Sequence, residues 1–145
     1  NLGLNIPELP KALANYVPYK IVGKTMYISG QAPVQNGELI YKGKVGSDVT
    51  LEDGIEAARL CVTNIIAAVK TGLEGDWGKL DSFVKLTGFV NCQDDFTDQP
   101  KIINGASDML VEIFGDQGRH ARVAVGSNAL PLGISVEIDA IVQLK

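Results

Sequence analysis

Histidine occurs once in this chain, at position 120; cysteine occurs twice and tryptophan once. These scarcities narrow the chemistry at the outset. One imidazole cannot form a two-histidine acid/base pair. Cys61 and Cys92 make no CxxC pattern and have no histidine nearby. They read as reduced packing residues rather than as a disulfide or a metal site. Positive charge is also in short supply. Thirteen Lys and Arg stand against 17 Asp and Glu, a net charge of −4, so no nucleic-acid partner is expected. No apolar run approaches the roughly 20 residues of a membrane span, and nothing at the start resembles a secretory apolar region. The first residue is Asn1 rather than methionine, so a few preceding residues are expected to be missing or processed. What remains is the expectation of a cytoplasmic protein without a metal site or membrane contact.

The residues that are present make an ordinary globular balance, 46% hydrophobic and 21% charged over 145 residues. That length suits one domain with a real core, so residues 1–145 are read as a single domain. Pro7 and Pro10 break the first 15 residues, leaving at most a short helix from Pro10 through Leu13 and Ala14. Tyr19 to Val22 and Thr25 to Ser29 read as a hairpin about Gly23-Lys24, and Asn36-Gly37 marks a second turn. Residues 38 to 50 are extended. Thr50, with Asp53 three positions on, caps a helix. Its apolar stripe runs from Leu51 through Ile55, Ala58, Val62 and Ile65 to Val69, and Gly72 ends it. Trp77, in the polar loop 73 to 80, is expected to cover that helix's end. Phe83 to Val90 is apolar on both faces and hence a central strand. A second helix spans Asp98 to Phe114, with Pro100 in its first turn and Gly115 as its stop. Strands Ala121 to Val125 and Ile134 to Leu144 complete the order β-β-α-β-α-β-β. A mainly antiparallel sheet with two helices on one face, an α+β layer, follows.

Two charges sit awkwardly in this pattern. Arg122 lies among Ala121, Val123, Ala124 and Val125, and Glu137 lies among Val136, Ile138 and Ala140. A charge among such neighbours is costly to bury without a partner or a ligand. Strand alternation places Ala121, Val123 and Val125 on the helix side. It sends Arg122 and Glu137 together to the face without helices. Alternation also groups Phe83, Lys85, Thr87 and Phe89, so the helix-free face keeps apolar residues with no third helix to cover them. Another subunit is the expected cover.

Three segments carry a resemblance to a known family: Ser29-Gly30-Gln31 with a following proline; Ala57-Ala58-Arg59 to Asn64; and Ala121-Arg122 followed by Leu130-Pro131 and Val136-Glu137-Ile138. With these the chain resembles, over nearly its whole length, the YjgF/RidA family, often labelled endoribonuclease L-PSP. Glu112 to Gly115 and Gly118 to Arg122 look like a longer branch whose members mostly lack an assigned substrate. The resemblance implies a chorismate-mutase-like fold and a homotrimer with three ligand clefts between subunits. It also implies hydrolysis of reactive enamines or imines to a keto acid and ammonia, without a cofactor. Carried over residue by residue, it implies that Arg122 binds a carboxylate and Glu137 positions water. Tyr16, Ser29, Gly30 and Asn104 then fall in the cleft. The family's cysteine falls on Ala124, which excludes a thiol-dependent step there.

Those residue types suit the chemistry. Arginine offers a fixed fork of donors to a planar carboxylate. Attack of water on an iminium carbon needs a base at hydrogen-bond distance. A hydroxyl from Tyr16 or Ser29 can donate to the substrate. Each also has a structural alternative: an Arg122–Glu137 ion pair, a packing role for Tyr16, a backbone partner for Ser29, a loop brace for Asn104. His120, beside Arg119, is read as a structural or solvated residue that can also sit on the cleft rim. The function expected is an enamine/imine deaminase acting on a small carboxylate-bearing imine. A trimer that only holds a small carboxylate or keto acid is the alternative, and ribonuclease ranks lowest.

Overall fold

The computed structural model describes residues 5–9 and 14–145; the short helix expected from Pro10 lies outside them in large part. Among the described residues, seven strands and two long helices follow one another. They are β1 (Tyr19–Val22), β2 (Thr25–Gln31), β3 (Val34–Gln35), β4 (Glu38–Leu39), α1 (Leu51–Gly72), β5 (Leu80–Asn91), α2 (Gln99–Phe114), β6 (Ala121–Ser127) and β7 (Val136–Leu144). Five strands form one sheet in the order β1-β2-β7-β5-β6, and β3-β4 form a separate hairpin. All neighbours in the large sheet are antiparallel except β5 and β6. That parallel pair exists because α2 carries the chain across between the two strands, the crossover that parallel neighbours require. The expected α+β layer of the chorismate-mutase-like kind is the fold observed.

Local chemistry accounts for the boundaries. The Thr50 side chain accepts from the Asp53 amide at 3.1 Å, closing the N-terminus of α1. Pro100 occupies the first turn of α2, and Gly115 ends it at φ 62°. Asn36 and Gly37 both take positive φ, 53° and 80°, as the tight turn between β3 and β4 demands. Trp77 differs from expectation. Although it follows α1, its ring lies 5.4 Å from that of Phe114, at the end of α2. Phe83 packs against the same ring, centroids 5.0 Å apart.

Both helices cover one face of the sheet, and the core lies between. Val136, Ile138, Ala140 and Val142 of β7 are buried there against Ile65, Ile66, Ile102 and Ile103. Gly88 lets α2 approach β5 closely, since a Cβ at that position would overlap Ile103. A register shift between Phe83 and Lys85 changes which residues share a face. Phe83 points into the core, while Lys85, Thr87 and Phe89 are only partly buried on the other side. Strict alternation had grouped all four together. The helix-free face still exposes Tyr27, Val123 and Val125, each about two-fifths or more accessible.

Strand β6 corrects the largest expectation. In the sheet register Leu86 pairs with Arg122 and with Ala140, and both apolar partners are buried beneath the helices. Arg122 is therefore on the helix side. Phe89 pairs with Glu137 and Val125 on the opposite side. Arg122 and Glu137 are on different faces of the sheet. The apolar set Ala121, Val123 and Val125 looked like a core stripe, yet β6 is an edge strand and turns that set outward. The long stem of Arg122 runs past the edge of the layer and carries its charge to α2.

Candidate functional site

The β2–β7 pair builds the first part of the site. The register shifts between Ile28 and Gln31, so Ser29 and Gly30 form a bulge. Bulges re-aim side chains at the edges of sites. Here the bulge opens room for the Glu137 side chain of the adjacent strand: a Cβ on Gly30 would overlap the Glu137 carboxylate. Ser29 Oγ donates to the Val17 carbonyl at 2.7 Å, tying down the entry to β1. Its hydrogen is thus committed to the backbone, and its lone pairs face outward as acceptors.

Glu137 looks into a cavity of about 540 Å³. Tyr16, Ser29, Gly30 and Gln31 share its polar end with Glu137. Apolar walls come from Pro18, Val34, Leu39, Leu132 and Ile134. Leu132 enters from a turn in which it adopts φ 60°, following the Leu130-Pro131 motif. Asn64, buried in the middle of α1, donates to the carbonyls of Ala32 and Val34, both at 3.1 Å. Ala32 and Val34 are themselves lining residues, so one buried amide fixes the β3 wall to the first helix.

Electrostatics single out Glu137. Burial raises its carboxyl from the ordinary value, and the Asp139 carboxylate adds to the rise. Burial likewise raises Asp139, against the opposing pull of Thr87 and Lys85. Beneath them the Cys61 thiol, wholly buried, is raised by burial and by the Glu137 charge. Among the described residues no cation pairs with Glu137. Sequence reasoning had weighed a nearby guanidinium against desolvation, and in the protomer desolvation prevails.

A second cluster forms where β6 meets α2. Arg122 Nη1 donates to Asn104 Oδ1 at 2.7 Å and to Ser107 Oγ at 3.2 Å. His120 lies 2.9 Å from Ser107 Oγ through Nε2 and 2.6 Å from the Gly118 carbonyl through Nδ1. Of the residues singled out in the sequence, Tyr16, Ser29, Gly30 and Glu137 therefore come together, and Asn104, His120 and Arg122 come together elsewhere. Ala124 packs against the core. Ser107 was missed. Its signal was its spacing: three positions after Asn104, it shares that residue's helix face. Among the described residues no group of three or more His, Cys, Asp or Glu side chains is placed to hold a metal ion, and no helix is long and apolar enough to cross a membrane.

A family model described as "YjgF/chorismate mutase-like, putative endoribonuclease" matches residues 1–142. Protein TCP17 of Trypanosoma cruzi is 39% identical over 145 residues, covering 99% of this chain and 90% of its own length. A crystal structure of a protein of unknown function from Agrobacterium tumefaciens is 45% identical and superposes with a TM-score of 0.93. The match covers 99% of this chain and 88% of that one. TdcF of Escherichia coli, solved with bound serine, is 27% identical with a TM-score of 0.65, over 94% and 93% of the two chains.

Proposed function

The chain belongs to the YjgF/chorismate-mutase-like family, and on that premise we propose that it is an enamine/imine deaminase. It would hydrolyse a small carboxylate-bearing imine to a keto acid and ammonia, in clefts shared between the subunits of a homotrimer. The observation that carries this reading is the pairing of two incomplete half-sites. One holds a half-buried carboxylate that no cation among the described residues pairs with, at the polar end of a cavity. The other holds an arginine with no carboxylate, at the sheet edge. The sheet itself separates them, so a second copy of the chain is what brings an arginine to the Glu137 cavity. The exposed apolar residues Tyr27, Val123 and Val125 give such a copy a surface to cover.

In the shared cleft the guanidinium binds the substrate carboxylate and fixes the iminium carbon near Glu137. Glu137 takes a proton from water as the oxygen attacks that carbon, giving a tetrahedral aminoalcohol. The nitrogen then takes that proton from Glu137 and leaves as ammonia, while the hydroxyl gives its own proton to the freed Glu137 carboxylate and the C–O bond becomes the keto group; Glu137 then releases that proton, which replaces the one that had made the imine an iminium. One water is consumed, and imine plus water balance keto acid plus ammonia. A carboxylate whose pKa is raised from its ordinary value is better matched to this proton transfer than an unperturbed one. TdcF, solved with serine, is a relative holding a molecule with the same carboxylate group. Ribonuclease chemistry is less well served: the lone histidine is engaged at both nitrogens, and the net charge of −4 opposes a phosphate backbone.

The test generates 2-aminoacrylate in situ and follows pyruvate release. Accelerated release that Arg122→Ala and Glu137→Gln both abolish supports the reading. Occupancy by pyruvate without any acceleration would leave a binding protein instead and remove the catalytic assignment.

A further inference from the structure

The hydrogen bonds around Arg122 have a direction. The Gly118 carbonyl can only accept, so His120 carries a proton on Nδ1. In the neutral ring Nε2 is then an acceptor, and the Ser107 hydroxyl must be its donor. With that hydrogen spent, the Ser107 oxygen meets Arg122 through a lone pair, as the guanidinium requires. The relay runs one way, from Arg122 through Ser107 and His120 to the backbone at Gly118. Such chains polarise one another and fix orientation.

The relay also decides which side of the guanidinium is free. Nη1 carries two hydrogens. One goes to Asn104 Oδ1 and the other to Ser107 Oγ. Among the described residues nothing accepts from Nε or Nη2. These two nitrogens form one edge of the planar fork, with parallel N–H bonds spaced for the two oxygens of a carboxylate. An arginine held only by its stem would rotate that edge away.

We propose that Ser107 and His120 are positioning residues, which lock Arg122 so that its Nε/Nη2 edge is presented to a substrate carboxylate. The proposal rests on Arg122 being the carboxylate anchor and adds how that anchor is set. It makes binding depend on two side chains that do not touch the ligand.

The measurement is calorimetric binding of 2-ketobutyrate to the full chain, with thermal melts of each variant alongside. Ser107→Ala is expected to weaken binding by about tenfold, the scale of one lost hydrogen bond to a charged group. His120→Phe should do the same, and Ser107→Thr, which keeps the hydroxyl, should restore affinity. In an Arg122→Ala background Ser107→Ala should cost nothing further, since its effect passes through the arginine. Wild-type affinity in Ser107→Ala, or a loss that simply adds to that of Arg122→Ala, overturns the relay. Wild-type affinity in Arg122→Ala overturns the anchor beneath it, a distinguishable outcome. Because His120 is the only histidine, its ring nitrogens give one set of ¹⁵N resonances. The relay expects the Nδ1–H tautomer, with Nε2 shifting in Ser107→Ala; an Nε2–H tautomer contradicts it.

Discussion

Arg122 and Glu137 are the residues on which the account turns, and both depend on their neighbours for reactivity. Arg122→Ala removes charge-assisted hydrogen bonds to a carboxylate. A loss of about 1.5–3 kcal/mol in ligand binding is expected, read by titration with 2-ketobutyrate. Arg122→Lys should recover little of it, because a single ammonium cannot offer the fork. Glu137→Gln removes the base, and kcat should fall by about 10²–10⁴-fold with the ligand still bound. The sign of the pH dependence follows from burial. As the proposed base, Glu137 would act in its ionised form, and its carboxyl is raised, so turnover should fall as the pH drops through that raised value. The acid limb of kcat/KM should therefore lie above the value of an unperturbed glutamate; a limb at or below that value would contradict the assignment. Both residues were conspicuous in the sequence as charges in apolar runs. The helix-free face of Glu137 was legible from alternation in β7, but the face of Arg122 was not. Alternation reports which residues share a side but not which side meets the helices. The apolar set of an edge strand imitates a core stripe.

Elements position these groups through a few close approaches. The β2 bulge exists to make room for Glu137, so Gly30→Ala should displace the carboxylate and lower kcat/KM. The residue is exposed and its neighbour is a flexible side chain, so the melting temperature should change little. Asn64 is the opposite case, buried and bonded twice. Asn64→Ala leaves the Ala32 and Val34 carbonyls without their donor and should cost about 1–3 kcal/mol of stability by denaturant titration. Helix ends and tight turns were readable from sequence because their signals are local: Thr50 with Asp53, Pro100, Gly115, Asn36-Gly37. The register shifts in β2 and β5 were not. A bulge is decided by what the neighbouring strand must accommodate, here Glu137 beside Gly30, and no pattern within β2 alone announces it. Trp77 illustrates the same limit. Sequence proximity pointed to α1, while packing against Phe114 placed it on α2.

At the scale of the whole molecule, the fold presents Arg122 and Glu137 on opposite faces of one sheet and an exposed apolar surface on the helix-free face. The two-layer architecture followed from counting elements, and the uncovered face followed from having only two helices. Assembly should bury Val123 and Val125. Val125→Asp is accordingly expected to reduce the mass measured by light scattering from trimer to monomer and to abolish turnover together with it. The central claim is that one subunit supplies Glu137 and another supplies Arg122. Mixing tests it most directly. Arg122→Ala and Glu137→Gln are each inactive alone in this account. Dissociated and reassembled in equal amounts, they should form some clefts in which the Arg122→Ala subunit contributes an intact Glu137 and the Glu137→Gln subunit an intact Arg122. Random pairing in a ring makes about one quarter of the clefts intact. Recovery of about a quarter of wild-type keto-acid release is the predicted result. Activity no greater than that of the two separate variants would place both residues of each site in one protomer and contradict the account.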